Sequence, residues 1–318
     1  MSDKDSITKE YMKQPERFAD LFNGFCFDGE EKLHPEELRD MDTASIVLPY
    51  GSDGAALPEQ KARDVLKLAL KTDGKAAYCI LGVENQTKVH TAMPIRNMLY
   101  DAMTLTEQVV ATANSHKAAH NHGKDSAEFL AGFHREDKVL PVITIVVYWG
   151  ADDWDAPVTL REMYPEGLDE SILKYATDYR VNLVSPALMS DEQLDVFRSD
   201  LKAVLKFIKH SKDKKELAAL VNGNQDYKSL DRLAAQTISV CSGQNFNFPV
   251  GEERIDVCKA IDDMITDARK EAQDEGMRNV IATVRDLNMG KEVAIQQLEK
   301  RYTLSQDAAT SFVESNWQ

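Results

Sequence analysis

The sequence predicts a mixed α/β core followed by an all-helical C-terminal region. Two apolar runs flank the stretch KTDGK, and an Asp-Gly pair between such runs is a strong short-range signal for a β-hairpin. A further run, VLPVITIVVYWG, is apolar at nearly every position, as in a strand that is covered on both faces. From about residue 190 onward the apolar residues follow the helical period instead. Strands with helices between them, followed by helices alone, indicate an α/β core with a helical extension.

The elements of the core are expected in a definite order. Apolar residues at the helical period predict helices, and apolar runs bounded by Gly, Pro or Asp predict strands. Ser190 with Gln193 three residues later forms a capping-box pattern, which starts the helical region. The expected elements are a helix over 4–26 interrupted near Pro15, strands over 45–51, 64–71 and 75–86, a helix over 91–118, and strands over 139–150 and 179–186.

The chain is strongly acidic, with 53 Asp and Glu against 38 Lys and Arg and a formal net charge of -15. Non-specific DNA affinity comes mainly from Lys and Arg on phosphates, so this charge argues against a protein that coats nucleic acid. It is compatible with an enzyme that touches DNA through a local basic patch, or that holds divalent cations among carboxylates. No apolar run reaches the roughly 20 residues of a membrane span, and the N-terminus lacks the apolar segment of a signal peptide. We therefore expect a cytoplasmic protein with no membrane partner.

Two carboxylates fall close together across the predicted hairpin. Side chains alternate faces along a strand, so Glu84 and Gln86 point to the same face. A three-residue loop places Asp64 directly opposite Glu84, and a two-residue loop places Asp64 opposite Val83, one position away. Like charges at such positions destabilise a sheet, so the pair is expected to share a proton, pair with a cation or bind a metal ion.

A hard divalent cation is one solution for this pair. Mg²⁺ uses one or two protein carboxylates, with water and a substrate phosphate filling its other positions. Once bound, it lowers the pKa of a water molecule and stabilises charge on a phosphate. Asp64, Glu84 and the backbone carbonyl of Asn85 are the candidate ligands of Mg²⁺ or Mn²⁺. The alternative is that both carboxylates lie in solvent at strand ends, paired with Arg63 or Lys61.

Four short stretches occur in a characteristic order, namely RDVLK, YCILGVENQ, MPIRNMLYDA and KVLPVITIVVYWG. Together they resemble the PD-(D/E)XK nuclease superfamily, and within it the family of recombination-promoting nucleases and transposases, over residues 8–190. The resemblance implies a restriction-endonuclease-like core in the order αβββαβ, a mixed sheet flanked by helices, and metal-dependent hydrolysis of DNA phosphodiesters. The chain would divide into a nuclease-like domain, residues 1–190, and a helical region, residues 191–318, that serves interaction or homo-oligomer formation.

The resemblance also assigns roles to individual residues. Asp64 and Glu84 would hold the metal ion, and Gln86 stands where the parent motif has a lysine that orients the attacking water. Glutamine can hydrogen-bond this water but supplies no positive charge. A further acidic ligand is common on the first helix, where ERFADLFN offers Glu16 and Asp20, and Asp20 is the candidate. The glutamine leaves an alternative open, a catalytically silent nuclease fold that acts as a DNA- or protein-binding regulatory module.

Polar residues outside these strands are candidates for supporting roles. Arg96 and Tyr100 lie four residues apart on one helix face, with Gln108 at its edge. Arg96 and Lys61 could contact the phosphate, while Tyr100 and Gln108 could support the ligands, or this face could merely buttress the sheet. The basic stretch LKAVLKFIKHSKDKK is a candidate contact to the DNA backbone, although a solvated helix face is the more common outcome.

The stretch SHKAAHNH raises a separate possibility. It places His116 and His120 one helical turn apart, with His122 nearby, a spacing that zinc sites use. The local pattern offers no acidic or cysteine partner, so an exposed helix end is the expectation.

Overall fold

The computed structural model describes residues 3–42, 44–47, 59–70, 77–244 and 246–317, and for residues 3, 44–47, 59–62, 77 and 78 it describes the backbone alone. By packing, the chain forms two compact units. Unit 1 takes in residues 1–244 and 251–256, and unit 2 takes in residues 245–250 and 257–318. The boundary that the sequence suggested after residue 190 falls inside unit 1, and the functional division into 1–190 and 191–318 stays a prediction.

Strands and helices both occur in the first two thirds of the described chain. The strands are β1 (Leu38–Asp40), β2 (Ala44–Val47), β3 (Glu59–Ala62), β4 (Val65–Leu70), β5 (Ala77–Gln86), β6 (Val142–Tyr148), β7 (Asn182–Val184), β8 (Leu230–Asp231) and β9 (Arg254–Ile255). The helices are α1 (Asp3–Lys13), α2 (Pro15–Phe27), α3 (Met93–Ala118), α4 (Ser126–Ala131), α5 (Glu170–Leu173), α6 (Asp191–Leu194), α7 (Leu201–His210), α8 (Lys214–Gly223), α9 (Arg232–Ser242), α10 (Val257–Asp286), α11 (Lys291–Tyr302) and α12 (Gln306–Asn316).

A five-stranded mixed sheet forms the centre of unit 1, in the order β1-β4-β5-β6-β7. The first three strands pair antiparallel, whereas β5, β6 and β7 run parallel. Parallel neighbours need a crossover connection, and α3 and α4 provide it between β5 and β6. The predicted mixed α/β core is therefore confirmed at the level of its sheet and helices.

The predicted hairpin is confirmed, and its register is the one that a three-residue loop would give. Val65 lies opposite Val83 and Ala69 lies opposite Cys79, with a shift of register only after Ala69. Asp64 directly precedes β4, so the same register brings it to Glu84. The turn itself, predicted at the Asp-Gly pair of KTDGK, lies outside the described residues.

Helices cover both faces of the sheet. Gly82 and Thr144 are register partners, and Thr144 donates a hydrogen bond to Asp101 of α3, which places α3 on their face. Lys67 of β4 points to the opposite face, where its ammonium lies 5.5 Å from the ring centre of Phe18 in α2. Residues 144–148 of β6 are all buried, as the continuous apolar run predicted.

The helical part of the chain agrees with its sequence pattern in most respects. Pro15 splits the first helix into α1 and α2, since it lacks the N–H that a continuous helix needs at that position. The capping box at Ser190 and Gln193 is formed, although the helix that it starts, α6, is only four residues long. Beyond residue 190 the described chain is helical except for the two-residue strands β8 and β9 and the connections between elements. None of the described helices has the length and apolar composition of a membrane span.

Unit 2 has a hydrophobic core of its own. Helices α10, α11 and α12 contribute its buried residues. These residues are Met277, Ile281, Val284, Ala294, Leu298, Ala309 and Val313. Because their buried residues form one cluster, the three helices pack against one another as a small helical bundle.

Candidate functional site

The candidate site lies where β4 begins and β5 ends. Antiparallel pairing brings these two ends together, so Asp64 meets the last residues of β5. The Asn85 backbone N–H donates a 2.8 Å hydrogen bond to Asp64 Oδ2, which ties the carboxylate to the strand that carries Glu84. Of the two registers that the sequence left open, the structure has the one that places Asp64 opposite Glu84, and the two carboxylates lie together as expected.

Glu84 is in an unusual environment for a carboxylate. Its side chain is 0% exposed, and Oε1 is buried without a hydrogen-bond partner among the described residues. Oε2 faces Arg96, whose Nη2 lies 3.5 Å away, at the outer limit of a hydrogen bond. A buried carboxylate with one unpartnered oxygen is costly unless something else is bound there.

Burial and the neighbouring charge change the proton affinity of the pair. Burial, together with the charge of Asp64, raises the pKa of Glu84 to about 8. Burial also raises the pKa of Asp64, while the Asn85 N–H and the charges of Lys9 and Arg96 lower it. Without a cation, Glu84 therefore holds a proton at neutral pH, and a bound cation would take the place of that proton.

The residues present fit a hard divalent cation. Two carboxylates lie side by side, one of them with an oxygen that has no partner among the described groups. Mg²⁺ and Mn²⁺ prefer such oxygen ligands, and Mg²⁺ commonly takes only one or two carboxylates from the protein. The carbonyl of Asn85, the third candidate, stays a prediction, while its side-chain Oδ1 accepts a 2.9 Å hydrogen bond from Trp149.

Arg63 does not pair directly with these carboxylates, in contrast to one of the alternatives from the sequence. Its guanidinium is buried and donates to Thr144 and, over 2.8 Å, to Asp101. Tyr179 donates to the other oxygen of Asp101, which completes a buried network behind Glu84. Gly82 makes room for this network, because a Cβ at that position would overlap the guanidinium of Arg63.

Arg96 and Tyr100 of α3 lie together, as their spacing predicted. Arg96 Nε is 3.3 Å from the Tyr100 hydroxyl, and the guanidinium lies 5.5 Å from the centre of the Tyr100 ring. The Arg96 side chain is 35% exposed, so its guanidinium contacts the buried Glu84 and is also accessible to solvent. Gln86, on the same face of β5 as Glu84, is 8% exposed.

Two of the candidate residues, Asp20 and Gln108, are engaged elsewhere in the structure, and the side chain of a third, Lys61, is not described. The Asp20 carboxylate accepts hydrogen bonds from the backbone N–H groups of Arg198 and Ser199 and from the Ser199 hydroxyl, and so anchors the segment before α7. Both amide atoms of Gln108 bond to the backbone of Leu140, just before β6. Lys61 lies on β3, and its side chain is outside the described residues.

Helix α1 supplies charged residues that sequence reasoning missed. Asp5 accepts a 3.0 Å hydrogen bond from Thr87, which follows directly after β5. Lys9, one turn further along α1, lies close enough to lower the pKa of Asp64. The i, i+4 spacing of Asp5 and Lys9 can be seen in the sequence and puts both on one face of α1. Only the packing of α1 against β4 and β5 shows that this face is directed towards the carboxylate pair.

No protein-family model matches the chain, and neither a curated protein nor a solved structure matches it. The chemistry of the site therefore has to follow from its geometry alone. A buried pair of carboxylates with an arginine beside it can bind a divalent cation and an anionic group together.

Proposed function

We propose that the chain is a divalent-metal-dependent DNA endonuclease of the recombination-promoting, transposase-associated type, with a restriction-endonuclease-like core. The observation that carries the proposal is the buried Asp64–Glu84 pair, with Glu84 Oε1 left unpartnered among the described residues at the end of the hairpin. The pair satisfies the ligand requirement of Mg²⁺ or Mn²⁺, and phosphodiester hydrolysis is a reaction that such ions commonly assist.

The order of the elements supports the same proposal. Helices α1 and α2 precede three antiparallel sheet strands, then α3 and a parallel strand follow, which agrees with the expected order αβββαβ. The first strand of this order is β1 and not the strand predicted over 45–51, which was wrong as a strand of the central sheet, because residues 45–47 belong to β2 and pair with β3 in a separate ladder. In the proposal, both carboxylates belong to the second and third strands of the core.

Each residue of the site has a definite task in the proposed hydrolysis. Asp64 and Glu84 hold the cation, which, when bound, lowers the pKa of a water molecule and offsets charge on the phosphate. Gln86 orients the attacking water through its amide, and Arg96 binds a non-bridging phosphate oxygen. The water oxygen bonds to phosphorus, the bond to the leaving oxygen breaks, and a proton ends on that oxygen. Lys9 contributes positive charge that Gln86 lacks.

The DNA contact requires local rather than overall positive charge, because the chain carries a formal net charge of -15. The basic stretch on α7 contributes less than its sequence suggested. Lys206 pairs with Asp195 at 2.9 Å, and Lys209 pairs with Asp191 at 2.7 Å. Arg96, beside the carboxylate pair, is the better candidate for a phosphate contact. A cytoplasmic location and a homo-oligomer formed through the C-terminal helices belong to the proposal as well.

One observation favours the second candidate, a catalytically silent DNA- or protein-binding regulatory module. Arg96 faces Glu84 at 3.5 Å, so a cation of the protein itself already stands beside the pair. An ion pair of this kind, together with a glutamine in the position of the motif lysine, is what a fold retained without catalysis would show.

A plasmid assay separates the two candidates. Supercoiled DNA is incubated with the purified chain in Mg²⁺, Mn²⁺ or EDTA, and the same is done with Asp64→Asn and Glu84→Gln. Glu166→Gln, a change at an exposed glutamate, serves as the matched control. The endonuclease proposal expects nicking or linearisation that needs the metal and is lost in the two site variants but not in the control. Cleavage that survives both site variants would refute it, and metal-independent DNA binding without cleavage would support the silent module.

A further inference from the structure

A second cluster of metal-ligating side chains lies outside the carboxylate site. His116 is in the last turn of α3, while His134 and Asp137 lie in the segment between α4 and β6. Their donor atoms all lie within 4.8 Å of one another, and this is the one group of three such donors found among the described residues. Side chains that are distant in the sequence thus supply donors that converge on one point.

Hydrogen bonds and ring stacking define the geometry of the cluster. His116 Nε2 lies 2.9 Å from Asp137 Oδ2, and the rings of His116 and His134 stack with centres 3.9 Å apart. The His134 backbone N–H donates a 2.6 Å hydrogen bond to the same Asp137 oxygen, which holds the carboxylate in place. In a tetrahedral zinc site with bonds of about 2.0 Å, neighbouring ligand atoms are about 3.3 Å apart. Because an ion binds in the plane of each imidazole, the His134 ring must turn out of its stack on His116 to bring its nitrogen to this spacing.

The surroundings also suit a bound cation. The side chains of His116 and Asp137 are 20% and 17% exposed, so an ion can reach them while most bulk water is kept away. The other ring nitrogen of His116, Nδ1, lies 3.3 Å from the side-chain amide of Asn121, a contact that orients the ring. Gly123, with φ at +76°, brings the chain close to His134, where a Cβ would touch both that ring and Glu128.

In the structure, the histidine that lies beside His116 is His134 and not His120, which the sequence spacing suggested. His120 has a φ of +51° and is exposed, and the ring of His122 lies tilted against that of Phe129 with ring centres 5.6 Å apart. The i, i+4 pair of His116 and His120 is therefore not the site. Instead, the segment after α4 folds back and places His134 and Asp137 beside His116. Asp137 is the acidic partner that the local sequence lacked.

We propose that His116, His134 and Asp137 form a site for a divalent transition-metal ion, with Zn²⁺ as the best match. Imidazole is a borderline ligand that Zn²⁺ binds and Mg²⁺ avoids, so two imidazoles with one carboxylate suit Zn²⁺ far better than Mg²⁺, and a water molecule would fill the fourth position. The ion takes the place of the proton between His116 Nε2 and Asp137 Oδ2. Its effect is to tie the end of α3 to the connection that leads into β6. The site is independent of the proposed nuclease activity.

Zinc binding by the whole chain tests the proposal. The purified protein is stripped with EDTA, dialysed, and titrated with Zn²⁺ in competition with a chromophoric chelator. We expect one tight site per chain, a fall in affinity of about 100-fold or more in His134→Asn and in Asp137→Asn, and a zinc-dependent rise in the unfolding temperature of wild type that these two variants lack. His120→Asn, a change at an exposed histidine of the same stretch, is expected to leave the affinity unchanged.

Further variants make the result decisive. Circular dichroism in EDTA establishes that each variant is folded, and His116→Asn provides a third independent loss of a ligand. Absence of tight zinc binding in wild type would overturn the proposal. So would unchanged affinity in the folded His134→Asn variant, or affinity lost in Asp64→Asn and Glu84→Gln instead, which would place the ion at the carboxylate pair.

Discussion

Replacement of Glu84 by glutamine should change stability in a way that depends on pH. Burial and the Asp64 charge raise the pKa of Glu84 to about 8 from its ordinary value of 4.5. Between these two values the folded protein keeps a proton that the unfolded chain has lost, so the stability of the wild type falls as pH rises through this window. Glu84→Gln has no such proton and nearly the same shape. Its stability relative to wild type should therefore increase as pH rises.

The size of the effect follows from the same shift. At about 1.4 kcal/mol for each factor of ten in proton affinity, the ionised form of Glu84 costs about 5 kcal/mol in the folded state at alkaline pH. Water entry and movement of Arg96 reduce this cost, so we expect Glu84→Gln to gain about 2–5 kcal/mol over wild type between pH 5 and pH 8.5. Mg²⁺ at one hundred times its Kd should reduce this difference at pH 8.5 by about 2.7 kcal/mol, since it stabilises the wild type alone.

Urea unfolding followed by tryptophan fluorescence measures both changes. A Trp317→Phe background leaves Trp149 and Trp154, so the signal reports unit 1. Glu166→Gln is the control for a change of glutamate to glutamine at an exposed position. A difference between Glu84→Gln and wild type that stays constant from pH 5 to pH 8.5 would refute the argument from burial. Equal stabilisation of both proteins by Mg²⁺ would refute Glu84 as a ligand.

Three further predictions test the surroundings of the pair. Gly82→Ala should lower the free energy of unfolding by about 1–3 kcal/mol in urea titrations, because the added Cβ displaces the buried guanidinium of Arg63. Gly223→Ala, where a Cβ meets nothing within 4 Å, is the control, and an equal loss there would contradict this reason. Lys9→Met should slow single-turnover plasmid cleavage by about tenfold or more, since the site loses its nearby ammonium. Gln86→Lys should raise the cleavage rate of wild type and rescue Lys9→Met, and a double variant as slow as Lys9→Met would exclude a shared role in charge stabilisation.

Local periodicity is sufficient to predict the hairpin, and it leaves two neighbouring registers open. Strand residues alternate with a period of two and a short turn leaves few ways to pair the strands, so Asp64 is expected opposite Glu84 or one position away, and the structure selects the first of these. The capping box at Ser190 and the buried strand β6 are predictable for the same reason, since both are signals within a few residues.

Helix docking cannot be predicted in this way. The family resemblance implies an acidic residue of the first helix near the pair, with Asp20 as the candidate. The protein instead uses Asp20 to anchor residues 198 and 199 and brings Asp5 to the end of β5. The space that Gly82 leaves open is occupied by the guanidinium of Arg63. Both outcomes depend on contacts between segments far apart in the chain, which a pattern of neighbouring residues does not contain.

The sequence by itself therefore predicted strands β4 to β7 and brought Asp64 to within one position of Glu84, because these features depend on short-range alternation of side chains. Tertiary structure decided which charges surround the pair and which donors join His116, because each depends on how helices and long connections pack. Asp137 is 21 residues from His116 and meets it at 2.9 Å only because the chain folds back after α4. A contact of this kind produces no periodic pattern in the sequence. The packing of the segment after α4 is what brings the three side chains together.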